Sequence, residues 1–98
     1  MRFSKDYSKL EKDVFTTIRK SRRSKPYIFG NSWFIESPTW QFRAQLIGVQ
    51  KITKGMITEE LAYSDADCSR GELIAMLEKW YGKEFDDFVL LTLKKETS

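Results

Sequence analysis

Between Arg19 and Lys25 the chain reads Arg-Lys-Ser-Arg-Arg-Ser-Lys, five cations in seven residues. Charge at that density attracts polyanions; the same composition also suits a solvated loop that keeps a chain soluble. The wider distribution leans the same way. Residues 1–54 hold 12 Lys and Arg against 4 Asp and Glu, and residues 55–98 hold 5 against 10. The net charge of +3 therefore hides one half at +8 and another at −5. Arg19 offers a planar fork matched to phosphate or to a guanine edge, or equally a salt bridge to Asp65 or Asp67 in the acidic half. Trp33, Phe34, Trp40 and Phe42 cluster around the Ser37-Pro38 turn. Aromatics beside a basic groove stack on unpaired bases, whereas in a small barrel they more often fill the core; Trp40, next to a turn, is the best placed for exposure. The residues expected to contact nucleic acid are thus Arg19, Lys20, Arg22, Arg23, Lys25 and Trp40.

The residue inventory removes much of the usual enzyme chemistry. There is no histidine, which excludes Ser-His-Asp and Cys-His triads and histidine-ligated metals. The single cysteine, Cys68, allows no internal disulfide and no cysteine zinc cluster. It precedes a helix start, a position that lowers a thiol pKa, but it has no histidine or resolving cysteine to act with. No cofactor or metal is expected. No apolar run is long enough to span a bilayer, the N-terminus lacks a signal-peptide pattern, and an intracellular, cytoplasmic protein fits best.

These groups need a scaffold, and 98 residues at 41% hydrophobic make one domain with a real core. Residues 4–14 read as a helix: Ser4 or Ser8 can cap it, Ser8-Lys9-Leu10-Glu11 has the capping-box spacing, and Tyr7, Leu10 and Val14 form an apolar stripe. The β-branched run Phe15–Arg19 turns extended. Short strands are expected at Tyr27–Gly30 and Trp33–Glu36, then a long strand over about 40–53. Its alternation slips phase at Gly48, which signals a bulge or barrel corner. Thr58-Glu59-Glu60 opens a short helix. The capping box Ser69-Arg70-Gly71-Glu72 opens another, with Leu73, Met76, Leu77 and Trp80 at helical spacing and Trp80 expected in the core. Gly82 terminates it. Phe88–Leu93, almost continuously apolar, reads as a central strand buried on both faces. The fold class is α+β, a small, strongly curved sheet with about three flanking helices.

The order of these motifs resembles the ASCH domain, a member of the PUA-like superfamily, over nearly the whole chain. The telling parts are the N-terminal helix running into Thr16-Thr17-Ile18-Arg19, the loop helix Ile57–Ala62, and the helix ending Leu77-Glu78-Lys79-Trp80-Tyr81-Gly82 before the final strand. The resemblance implies a PUA-like β-barrel with a cleft between barrel and helices. ASCH domains are proposed to bind RNA, and some small bacterial members hydrolyse N-acylated cytidines with a lysine, a threonine and a glutamate. Thr17 falls on the threonine position, Arg19 on the arginine and Asp65 near the glutamate. The lysine position falls on Val14, which can neither activate a nucleophile nor move a proton. Lys12 lies two residues earlier, on a different face of a continuing helix.

The expected function is a noncatalytic RNA-binding module: basic residues hold phosphate, and a cleft floored by Thr17 and bordered by Asp65 takes a base or terminal nucleotide. The alternative is an amidohydrolase acting on a modified nucleoside, with Thr17 and Asp65 as catalytic residues. A third reading is a protein-interaction subunit whose acidic half meets a basic partner.

Overall fold

A computed structural model describes residues 1–22 and 26–96. Arg23 and Lys25, two of the expected nucleic-acid contacts, lie outside the described residues. Four strands form one antiparallel sheet: β1 (Val14–Lys20), β2 (Ser32–Glu36), β3 (Gln41–Ile52) and β4 (Phe88–Lys95), in the order β1-β4-β3-β2. Two helices, α1 (Glu59–Ala66) and α2 (Arg70–Tyr81), fill the connection between β3 and β4. The α+β class stands.

The apolar segment 88–93 takes the central place because it can bury side chains on both faces. β4 pairs with β1 from Lys20↔Phe88 to Val14↔Lys94, and with β3 along its other edge. Leu91 and Leu93 are fully buried and join Leu10, Ile35, Leu46, Leu77 and Phe88 in one hydrophobic cluster. The phase slip in β3 is a bulge: Leu46 pairs with Leu93 but Gly48 pairs with Thr92, leaving Ile47 as the extra residue. A Cβ on Gly48 would sit 3.3 Å from both Cβ and Oγ1 of Thr92, so glycine permits the close approach that the bend requires.

Both helices begin where their capping residues stand. Thr58 accepts the Leu61 amide at 3.1 Å, and Ser69 with Glu72 completes a reciprocal capping box. α1 ends on Asp67 in the left-handed region (φ 55°), and α2 ends on Gly82 at φ 97°.

Three expectations are corrected. Residues 4–14 do not form a helix: Ser8–Glu11 make one 3₁₀ turn, and β1 starts at Val14. Ser8 does not cap this turn, because its amide and hydroxyl both donate to the Asp67 carboxylate, the amide at 2.8 Å; a tertiary acceptor outcompetes the local one. Val14 consequently points outward from an edge strand. Tyr27–Gly30 is not a strand, and only Ser32–Glu36 pairs with β3. Last, the sheet is open among the described residues: β1 and β2 are its edges, and two α-helices rather than three flank it. Beside the β2 edge runs the N-terminal segment, where Phe3 donates to the Glu36 carbonyl at 2.7 Å and Arg2 forms a parallel bridge with Glu36.

Candidate functional site

A cleft of about 220 Å³ opens between the N-terminal segment, β1 and the two helices. Thr17 and Arg19 reach it from β1, Asp65 from the last turn of α1, and Lys9 from the 3₁₀ turn. Sequence reading placed the first three in a cleft and missed the fourth.

Lys9 and Asp65 form an ion pair at 3.5 Å, with Lys9 3% exposed and Asp65 5%. Helical phase turns Asp65 inward, while Asp67 two residues on faces the surface. Asp65 Oδ1 also accepts the Thr16 hydroxyl at 2.9 Å. Loss of hydration pushes the Lys9 ammonium down to about 8 and the Asp65 carboxyl above the usual carboxylate range; each partner's charge works against the other's shift. The Lys9 ammonium also lies 5.0 Å from the centre of the Phe3 ring and 5.3 Å from that of Tyr7, a cation–π contact of the kind that partly replaces lost water. Asp67 supports this arrangement by gripping Ser8, next to Lys9 in the turn, and those hydrogen bonds hold its own carboxyl below the usual range.

Arg19 makes neither of the salt bridges open to it. Its Nε donates to Thr17 Oγ1 at 3.2 Å, one terminal nitrogen donates to the Arg2 carbonyl at 3.4 Å, and its guanidinium lies 4.9 Å from the Phe3 ring centre. No carboxylate among the described residues comes within ion-pair distance of it. The fork is therefore held through Nε and one terminal nitrogen at the wall of the cleft, with no carboxylate in ion-pair contact. Thr17 is buried and accepts from Arg19, so its own proton remains free for an acceptor.

The remaining expected contacts scatter. Lys20 is exposed over Phe85 (5.3 Å to the ring centre), and exposed Arg22 sits over Tyr27 (4.9 Å). Trp40 is half-buried and borders a different, shallower groove with Leu10, Thr39, Phe42 and Lys95. It does not join Arg19. Lys12 is exposed and does not line the cleft. The thiol of Cys68 moves opposite to expectation: burial and the neighbouring Glu72 carboxylate push it up.

Trp80 is corrected as well. Expected in the core, it is 55% exposed and stands at the cleft wall. The stripe Leu73, Met76, Leu77, Trp80 buries its first turn and runs off the sheet at its end. Helical spacing reports which residues share a face, not how far the underlying sheet extends.

Among the described residues no group of histidine, cysteine or carboxylate side chains could hold a metal ion, and no helix is long and apolar enough to cross a membrane. Comparison with family models, with curated proteins and with solved structures found no match.

Proposed function

We propose that this chain is an RNA-binding module of ASCH type in the PUA-like superfamily, whose cleft holds one base or terminal nucleotide. The observation that carries the reading is Arg19: a preorganised guanidinium with no carboxylate partner, at the wall of a concave site. A guanidinium so placed is open to an anionic ligand, which it meets with charge-assisted hydrogen bonds. Arg2, which lines the same cleft and whose guanidinium also lies 3.8 Å from the Glu36 carboxylate, and the cationic run of the sequence that begins at Arg19 supply the kind of positive charge that a phosphate backbone needs. The volume agrees, since about 220 Å³ is below the roughly 300–1,000 Å³ of pockets that enclose drug-sized ligands. One nucleotide enters and the polymer stays outside. The PUA-like assignment rests on the order of motifs in the sequence, with the β3 bulge and the N-terminal segment, which bridges Glu36 of β2 and accepts from Arg19 of β1, in line with it.

The test is fluorescence anisotropy with single-stranded, hairpin and duplex RNA at several salt concentrations. Wild type binds, affinity falls steeply with salt, and Arg19→Ala weakens it at least tenfold. Absence of binding at low salt refutes the reading.

A second reading, hydrolysis of an N-acylated cytidine, gains from one observation: Lys9, five residues before Val14, supplies a buried lysine paired with Asp65 in the cleft that Thr17 also lines. With its pKa near 8, about a tenth of Lys9 is neutral at pH 7 and able to accept the Thr17 proton. Lys9 pairs with Asp65 rather than with Thr17, which places this reading second. Incubation with N4-acetylcytidine decides it: release of acetate and cytidine, lost in Thr17→Ala, would make the module an enzyme.

A further inference from the structure

A tryptophan half in water at the wall of a charged cleft forgoes burial that the core would have supplied. Trp80 has no intramolecular ring partner among the described residues, whereas Tyr81, its neighbour on α2, packs against Phe85 and Phe88 at 5.8 and 5.6 Å between ring centres. Arg2, within 3.8 Å of the Glu36 carboxylate, and Arg19, with no carboxylate in ion-pair contact, line the same cleft, and the half-buried Met76 lies one turn before Trp80 in its wall. The cleft therefore combines an exposed indole with cationic groups. A ligand that satisfies both has a flat aromatic ring joined to an anion, as a nucleotide does; inorganic phosphate or a sugar phosphate meets only one of them.

We propose that Trp80 is the stacking platform of the cleft, so that the site selects an unpaired base over a paired one. This rests on the RNA-binding reading above and adds a ligand-contacting residue to it. In a duplex both faces of a base are covered by its neighbours, and Trp80 has nothing to stack on; in a single strand or bulge one face is available. The expected selectivity is therefore for strand state. Base identity matters less to a stacking contact, because every base has a π-face.

The experiment uses a short single-stranded RNA carrying one 2-aminopurine, the same strand annealed to its complement, and ribose 5-phosphate as a competitor without a base. Binding to wild type, Trp80→Phe, Trp80→Leu and Arg19→Ala is followed by anisotropy and by 2-aminopurine emission. Wild type binds the single strand more tightly than the duplex and quenches the emission, and ribose 5-phosphate competes poorly. Trp80→Leu binds 5- to 150-fold more weakly, the range that stacking on one base spans, and loses the quenching; Trp80→Phe keeps most of both. Because Trp80 is exposed, Trp80→Leu unfolds at the wild-type temperature, so its loss reports contact rather than folding. If Trp80→Leu binds and quenches like wild type while Arg19→Ala does not bind, the platform is refuted and the RNA-binding reading survives. If wild type binds neither strand, both fail. Equal binding of single strand and duplex refutes the selectivity.

Discussion

Replacing Lys9 by methionine keeps most of the length and apolar stem of the side chain and removes its charge. Asp65 would be left 5% exposed, with the Thr16 hydroxyl as its remaining hydrogen-bond donor. Stranding a buried charge in this way costs about 3–5 kcal/mol. There is also a ceiling, because the carboxylate can escape by taking up a proton. From an ordinary value of 3.8, protonation at pH 7 costs about 4 kcal/mol. Lys9→Met is therefore expected to lose 3–4 kcal/mol at pH 7. The sign with pH follows from the raised Asp65 carboxyl. A folded pKa above the unfolded one adds stability that is fully present below pH 3.8 and is lost as pH rises. The deficit should thus shrink as pH falls from 7 toward 4, by at most about 1.4 kcal/mol per unit for one carboxyl. Urea unfolding at pH 4.5, 5.5 and 7 measures this. Lys9→Met/Asp65→Asn, with neither charge, should recover at least 2 kcal/mol of the loss at pH 7. A deficit below about 1 kcal/mol that does not change with pH, or a double variant no better than the single one, would refute the buried pair.

The Lys9 side chain should titrate near 8 in an NMR pH series, and Asp65→Asn should move its midpoint lower still by removing the charge that holds it up. Because the unfolded chain keeps that proton to higher pH, this group's contribution makes the folded state more stable as pH climbs from 8 toward 10.5; thermal unfolding of wild type against Lys9→Met separates it. Ser69→Ala should cost about 1 kcal/mol in chemical denaturation, through loss of the α2 capping box. Gly82→Ala meets nothing within 4 Å, so any loss there, about 1–2 kcal/mol, comes from placing a Cβ on a residue at φ 97°. Leu91→Ala, at the centre of the sheet with no exposure, should cost 2–5 kcal/mol.

Whatever depends on near neighbours was legible from the residue order. The caps at Thr58 and Ser69, the stop at Gly82, the bulge at Gly48 and the central placement of Phe88–Leu93 each follow from the residues present and the period they keep. A capping box spans four residues and a bulge needs one glycine. Through the order of motifs Thr17 and Asp65 were expected at the floor and border of one cleft, with Arg19 holding phosphate there. Where a local pattern met a stronger distant partner, the reading failed. Ser8 lost its role as a cap to Asp67, 59 residues away, and the expected helix shrank to one 3₁₀ turn. That change carries Lys9 into the cleft, because the turn presents it to Asp65 whereas a regular helix would have continued toward Val14. Trp80 shares its helix face with Leu73 and Leu77, yet where that face leaves the sheet depends on the packing of α2. The spacing of four apolar residues determined a stripe; only the tertiary structure decided which of them stand in water beside two arginines. Burial and pairing between distant segments are properties of the assembled chain, and they govern the charge state of Lys9 and the reach of Arg19.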